Sequence, residues 1–491
     1  MAEIAGDTLP PAGRIAEHAL ARTSGARLRA GNHLDLIENG DATYAAWLEA
    51  IRGAQRWVHF ENYIFRDDAI GQWFAEALSE RARAGVIVRV LYDWYGSLDV
   101  AASFWQRLRA AGVDVRVINP PRLLEPLDLF RRDHRKLIAV DGTYGSVGGV
   151  GVADPWLQRD PGTGLPYRDT CVAVRGPAVA DIERAFAGVW DLNGSALPAA
   201  ERPRAGAIAP AGDMATRVVI QEPGKMRISR LLQVVTASVE QRVWIADPYF
   251  LADRILREAL VAAALDGIDV RLLLPSTNDL RIVGAVSRAS YRPFLEAGVR
   301  IWEYRGPMMH AKTMVADGWC SRVGSTNLNI TGLMSNWEID VVVQDAGFGM
   351  RVEEMFLRDF ADARELTLEG RAVRGGARSR RMRALARGSG PQLPSTVASL
   401  GGALAEGALS NVLQRNERDV DGAIGTAAVL FALAVARFPR SLAWPLATIA
   451  ALLGITRLAH AIRPRGAARA DGGDGWPRWF RARRGASRTQ M

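Results

Sequence analysis

His134-Arg135-Lys136-Leu137-Ile138-Ala139-Val140-Asp141-Gly142 returns 176 residues later as His310-Ala311-Lys312-Thr313-Met314-Val315-Ala316-Asp317-Gly318. Both copies read H-x-K-x4-D-G, and each runs on at the same distance to a second turn. That turn is Gly148-Gly149-Val150-Gly151 in the first copy and Gly324-Ser325-Thr326-Asn327 in the second. Residues 137–140 and 313–316 are short apolar runs that predict strands, and each Asp-Gly is a tight-turn signal. On a strand, residues i and i+2 point the same way, so each His shares a face with its Lys. A single His on a strand is ordinarily a core or surface residue, and an Asp before Gly is ordinarily a turn former. The whole constellation occurring twice is what argues for function.

The duplication extends outward from the motif. Arg56-Trp57-Val58-His59-Phe60-Glu61-Asn62-Tyr63 pairs with Arg242-Val243-Trp244-Ile245-Ala246-Asp247-Pro248-Tyr249. Each follows an amphipathic helical stretch, at 44–55 and 228–240. Ala84-Gly85-Val86 onward pairs with Asp266-Gly267-Ile268, and Ala111-Gly112-Val113 with Ala297-Gly298-Val299. The offsets are 186, 182, 186 and 176 residues, which is one doubled unit rather than scattered matches. Helices alternate with short apolar strands, each entered through a Gly, so each unit predicts an α/β layered domain with a covered sheet. A pseudo-twofold axis between the units would bring equivalent segments together.

A His and a Lys on one surface suit a phosphate ester. Imidazole can attack phosphorus or protonate a leaving oxygen. Ammonium groups hold the non-bridging oxygens and offset charge that develops in the transition state. Two facing copies supply both tasks: one His becomes a phosphohistidine and the other serves as general acid, then general base. Ser325 and Asn327 are placed to donate hydrogen bonds to phosphoryl oxygens.

Composition narrows the class. The chain has 491 residues, 48% hydrophobic and 23% charged, which excludes wholesale disorder and leaves room for two or three domains. Long uncharged runs are missing before residue 420, which excludes a polytopic transporter. Cys171 and Cys320 are the only two cysteines, too few for a disulfide framework or a four-thiolate zinc site. Net charge is +9, which favours anionic partners. Of 62 basic side chains three are lysine, namely Lys136, Lys225 and Lys312. A chain that writes Arg wherever a positive charge will do, yet keeps Lys in both motifs, signals a need for a compact ammonium there. Residues 1–30 carry no apolar core of the kind a cleaved export signal needs.

These motifs resemble the phospholipase D superfamily, and within it the chain is most similar to the bacterial cardiolipin synthases. The resemblance covers roughly residues 30–370. It rests on the double motif, on Phe130-Arg131-Arg132-Asp133-His134 and Tyr167-Arg168-Asp169, and on Gly324-Ser325-Thr326-Asn327-Leu328-Asn329 and Asn336-Trp337-Glu338. It implies an α/β fold of two fused phospholipase D-like α-β-α sandwich units, with one active site at their interface and neither metal nor cofactor. It implies catalytic roles for His134, Lys136, Asp141, His310, Lys312 and Asp317, and a carboxylate from each half, Asp169 and Glu338, to orient an imidazole. It favours His134 as nucleophile and His310 as general acid. The family usually has Asn where this chain has Gly151, so backbone amides of 149–151, Gly149 among them, are the expected phosphate ligands in the first half, beside Ser325 and Asn327 in the second.

The final third has a different character. Residues 371–387 hold seven arginines and no acid, which reads as a basic linker attracted to acidic headgroups. Uncharged runs of 15 and 16 residues follow at 422–436 and 441–456. As helices they reach about 22–24 Å, short of a full hydrocarbon core. Together with the turn at Phe438-Pro439-Arg440 they predict a hairpin that enters the membrane with both flanks cytoplasmic. The expected organisation is an N-terminal extension (1–33), two phospholipase D-like units (34–200 and 210–370), a basic linker (371–420), a membrane-associating helical hairpin (421–462) and a basic tail (463–491). The resemblance implies a phosphatidyltransferase that forms cardiolipin from phosphatidylglycerol at the cytoplasmic face of a bacterial cell membrane. Hydrolysis of phospholipids to phosphatidic acid is the rival reading, and a nuclease or phosphodiesterase the third. Arginines interleaved with a repeating aromatic pattern are missing, so no nucleic-acid partner is expected.

Overall fold

The computed structural model describes residues 11–120, 131–158, 165–369 and 372–374. The apolar hairpin at 421–462, the basic tail and nearly all of the basic linker lie outside the described residues. In the first half the elements run α1 (Pro11–Ser24), β1 (Arg29–Glu38), α2 (Asn39–Gly53), β2 (Trp57–Asn62), α3 (Ala69–Arg83), β3 (Ile87–Asp93), α4 (Ala102–Ala110), β4 (Asp114–Ile118), β5 (Lys136–Val140), β6 (Tyr144–Gly148), β7 (Thr170–Arg175) and α5 (Val179–Leu192). In the second half come β8 (Met214–Gln221), α6 (Arg227–Ser238), β9 (Arg242–Ala246), α7 (Arg254–Leu265), β10 (Asp269–Pro275), α8 (Arg281–Ala289), α9 (Tyr291–Glu296), β11 (Arg300–Tyr304), β12 (Thr313–Ala316), β13 (Cys320–Gly324), β14 (Glu338–Gln344), α10 (Ala346–Ala361) and β15 (Ala363–Glu365).

Local chemistry sets where these elements begin and end. Asp68, Asp253 and Asp345 each cap a helix by accepting the backbone N–H three residues on, at 3.0, 2.8 and 2.7 Å. The glycines that precede the strands in the sequence repeat, Gly85, Gly112, Gly267 and Gly298, have φ of 87°, 95°, 90° and 92°. They close α3, α4, α7 and α9 in the left-handed conformation that a side chain resists, and turn the chain into β3, β4, β10 and β11.

The strands form one continuous ladder in the order β15-β11-β10-β9-β12-β13-β14-β8-β1-β7-β6-β5-β2-β3-β4. Apart from β15 at one edge, the order reads the same from the centre outward in both halves. In each, three parallel strands are joined to an antiparallel hairpin by its first strand. Strand register also corrects the repeat. Leu137 lies opposite Glu61 and Thr313 opposite Ala246, so the equivalent of Asp247 is Asn62, not Glu61, and that offset is 185. The local chemistry agrees: Asn62 accepts the Ile64 N–H and Asp247 the Tyr249 N–H, each two residues ahead.

Both halves contribute to a single core. Val147, Val172 and Val174 of β6 and β7 share one apolar cluster with Val323, Ile339 and Val341 of β13 and β14. Phe186 and Val189 of α5, and Val352 and Phe356 of α10, complete it. Helices α6, α7 and α9 cover the opposite face of the second half. On the first half's outer face Trp47 meets Phe60 and Phe74 edge-on, at 5.6 and 6.2 Å. A buried Phe or Val of this kind contributes about 1.5–3 kcal/mol each. Helix α1 belongs with the second half, where Leu20 packs on the α6 cluster and Glu17 pairs with buried Arg217.

Candidate active site

The two histidines stand just before β5 and β12, and each is stitched to the other half through its backbone. The His134 N–H donates to Trp337 O at 3.0 Å, and the His310 N–H donates to Arg168 O at 2.7 Å. These bonds belong to two parallel bridges, Asp133 with Trp337 and Arg168 with Met309. Arg168 is fixed by a two-pronged pair with Asp359, at 2.8 and 2.9 Å.

The side chains cross in the same way. His134 Nδ1 lies 3.0 Å from Glu338 Oε1 and 3.2 Å from Ser325 O. His310 Nδ1 lies 2.7 Å from Asp169 Oδ2. Both carboxylates are fully buried and both histidines nearly so, at 8% and 5% exposure. Lys136 Nζ donates to His134 O at 2.6 Å, and Lys312 Nζ to His310 O at 2.5 Å. The Tyr63 ring lies 4.7 Å from the His134 ring and 5.0 Å from Lys136 Nζ. The structure thus joins His134, Lys136, Glu338, Ser325, His310, Lys312 and Asp169 in one buried assembly.

Burial governs the electrostatics. It drives the His134 pKa down to about 4, assisted by Lys136 and Lys312 and opposed by Glu338. Burial also lowers His310, with Lys312 adding to the effect. Lys136 falls to about 7, chiefly by burial and further by Lys312, against the pull of Glu338. Burial works to raise Asp169 and Glu338, yet both end below the usual carboxylate range because a histidine and a lysine face each of them. The resting site therefore holds ionised carboxylates and neutral imidazoles. With Nδ1–H directed at a carboxylate, Nε2 keeps its lone pair, and His310 Nε2 lies 3.2 Å from Lys312 Nζ. A phosphodiester bound here would bring negative charge and raise both histidines and both lysines.

Four of the residues expected to be catalytic or to bind phosphate stand elsewhere or do something else. Asp141 accepts the N–H groups of Gln55, Arg56 and Trp57 at 2.8 Å each. Asp317 does the same for Glu240, Gln241 and Arg242, at 2.8, 2.9 and 2.9 Å. Both sit at the far end of a strand from the lysine, about 17 Å away at 3.3 Å per residue. Their φ of 56° and 49° makes them hairpin-turn residues. Their recorded contacts are with these hairpin corners and not with either histidine. Asp141→Ala is expected to lower stability by about 1–2 kcal/mol, through the loss of three acceptor contacts, while changing turnover less than threefold. Thermal melting run beside initial rates checks this.

The Ser325 hydroxyl donates to Glu338 Oε2 at 2.5 Å and accepts from the Ile339 N–H at 3.0 Å, so its one proton is directed at the carboxylate. Gly149 is engaged by its neighbours as well. Its N–H is spent on Thr170 O at 3.1 Å, and it admits the Asp169 carboxylate to a place that a Cβ would crowd to 2.1 Å. Asn327 is 7% exposed; its amide oxygen has no partner among the described residues, and its NH2 is the part that could donate to a phosphoryl oxygen.

Two contributors were not singled out from sequence. Asn336 donates to Glu338 Oε1 at 3.2 Å. Trp156 donates from Nε1 to Asp169 Oδ2 at 2.8 Å. The available signal for Trp156 was a Trp five residues beyond Gly151, in a copy that lacks the Asn of its twin. Among the described residues, no group of three or more His, Cys, Asp or Glu is arranged to hold a metal ion.

A doubled His-Lys motif with crossed carboxylates, closed over one buried assembly, defines a phospholipase D-like fold and site. Residues 47–190 and 232–360 match the family model described as cardiolipin synthase, phospholipase D-like domain. The chain belongs to that family, as its motifs led us to expect. It is 37% identical over 343 residues to cardiolipin synthase A of Pseudomonas fluorescens, which covers 69% of this chain and 71% of that one. It is 36% identical over 360 residues to cardiolipin synthase A of Pseudomonas aeruginosa, with 72% of each chain covered. A crystal structure of phosphatidylserine synthase from Haemophilus influenzae shares the fold, with a TM-score of 0.58 at 14% identity over 81% of this chain and 99% of that one.

Proposed function

We propose that this chain is a phosphatidyltransferase that forms cardiolipin from two phosphatidylglycerols through a phosphatidyl-histidine. The observation that carries this reading is the crossing: each imidazole takes its carboxylate from the opposite half, which leaves two Nε2 atoms for a single phosphorus. His134 Nε2 attacks the phosphorus of the donor lipid. The bond to the headgroup glycerol oxygen breaks, and His310 Nε2–H protonates that oxygen as glycerol leaves. His310 then takes the proton from a primary hydroxyl of the second phosphatidylglycerol. That oxygen attacks phosphorus, the P–N bond breaks, and His134 is restored. Lys136, Lys312 and the Asn327 amide hold the non-bridging oxygens. No redox step or cofactor enters this balance.

Whether alcohol or water reaches the intermediate depends on how well the closed site excludes water. The near-complete burial of both histidines favours the alcohol. Membrane attachment through the apolar runs of 421–462, on the cytoplasmic face and flanked by arginines, belongs to the same proposal. Purified protein with vesicles of labelled phosphatidylglycerol is expected to yield cardiolipin and glycerol in equal amounts. Phosphatidic acid as the main product would replace this reading with a hydrolase, and neither product would exclude both.

A further inference from the structure

The two copies of the motif differ at the point where each meets its carboxylate. In the second copy Ser325 donates to Glu338, and Asn327 follows two residues on. In the first copy the equivalent positions are Gly149 and Gly151, and neither has a side chain to offer. The missing atoms are replaced from outside the motif. The Trp156 indole fills the space, and a Cβ at Gly151 would stand 2.9 Å from the far edge of its six-membered ring. Its Nε1–H reaches Asp169 Oδ2, the same oxygen that holds His310 Nδ1. Its ring meets the His310 ring edge-on, with centroids 5.3 Å apart and planes at 83°.

The indole is itself tightly held. It is 3% exposed and packs edge-on against Tyr167 at 5.5 Å. Its backbone carbonyl lies where only a glycine fits, since a Cβ on Gly40 would come within 2.2 Å of it. The Tyr44 hydroxyl pins the connecting loop at the carbonyls of Gly151 and Ala153, at 2.7 and 2.9 Å.

We infer that Trp156 is the positioning residue for the Asp169–His310 pair, supplying the hydrogen bond that the second copy obtains from Ser325. An indole N–H is a donor only and does not titrate, so it can give a hydrogen bond to the Asp169 carboxylate and cannot compete with that carboxylate for the His310 Nδ1–H. It fixes which Asp169 oxygen meets His310 and favours the Nδ1–H tautomer that leaves Nε2 for the leaving oxygen. This rests on the reading of His310 as acid and base. The groups that face the His310 imidazole are Asp169, Lys312 and Lys136, together with Trp156 and Tyr249.

Trp156→Phe removes the donor and keeps most of the ring. It is expected to lower kcat roughly tenfold to a hundredfold, the usual worth of a hydrogen bond to a charged group, with KM within twofold. Asp169 loses a donor, so its pKa rises and the acid limb of the kcat profile moves to higher pH. A carboxylate short of a donor also binds imidazolium more strongly, so His310 titrates at higher pH. Trp156→Phe is further expected to relieve Gly151→Asn, which overpacks against the wild-type indole, so that the pair together costs less than the sum of the singles.

Nitrogen-resolved NMR of the wild-type protein needs neither substrate nor a folded variant. The Trp156 indole N–H resonance is expected to shift as the Asp169–His310 pair titrates. That readout stands even if the protein makes no cardiolipin, which separates this inference from the functional one. A Trp156→Phe protein with an unchanged limb, an unchanged His310 titration and only a lower melting temperature would overturn it, as would an indole resonance blind to that titration.

Discussion

His134→Ala is expected to abolish turnover and to leave no labelled protein, whereas His310→Ala is expected to remain chargeable by a reactive donor. With phosphatidylglycerol the His310 variant must expel an unprotonated alkoxide, a loss of roughly 10²–10⁴-fold. With a p-nitrophenyl phosphodiester of the same lipid the leaving group needs no proton, and His134 Nε2 can still attack. The product is then an N–P adduct that turns over slowly, because no base remains to activate the acceptor hydroxyl. Acid-sensitive, base-stable label on the His310 variant and none on the His134 variant would fix the roles. The reverse pattern would exchange them, and label on neither would end the covalent mechanism.

Glu338→Gln is expected to reduce kcat roughly ten-thousandfold, as when the carboxylate of a hydrolytic triad becomes an amide. The amide has nearly the same shape and its one oxygen can retain the bond from Ser325, at the cost of the bond from Asn336, so the fold should survive. Its NH2 can also turn toward His134 Nδ1 and donate. That fixes the opposite tautomer, with hydrogen on Nε2 and no lone pair for phosphorus. Asp169→Asn applies the same inversion to His310, so its penalty should shrink as the leaving group becomes more acidic, while the Glu338→Gln penalty should not. A loss of only a few-fold for both variants, with wild-type dependence on the leaving group, would reduce the crossed pairs to ordinary ion pairs.

Much of this was legible because the chemistry lies in types and spacing that recur. His134, Lys136, His310 and Lys312 could be read from the doubled H-x-K alone. The partners Asp169 and Glu338 came from the resemblance, since no spacing rule links a residue to one 141 or 204 positions away. For Asp141 and Asp317, type and spacing do not separate a structural task from a chemical one. A carboxylate that gathers three backbone N–H groups at a hairpin corner recurs as faithfully as one that touches substrate, and a single sequence does not distinguish the two. What the sequence does not show at Ser325 and Gly149 is the neighbouring carboxylate, which takes the Ser325 hydroxyl and fills the space at Gly149. Trp156 escaped because what it replaces is visible only when the two copies are overlaid in space. The register slip at Glu61 arose because Tyr63 and Tyr249 align by letter but not by strand.

The crossed stitching has one more consequence. Cut between β7 and β8, each fragment would keep an imidazole whose counter-ion left with the other piece, so neither would be an enzyme in miniature. A lone ancestral copy with the same wiring could have worked only as twins, each lending its acid group to its neighbour. Fusion then freed the twins to diverge, and the unlike surroundings of Asp169 and Glu338 record that freedom.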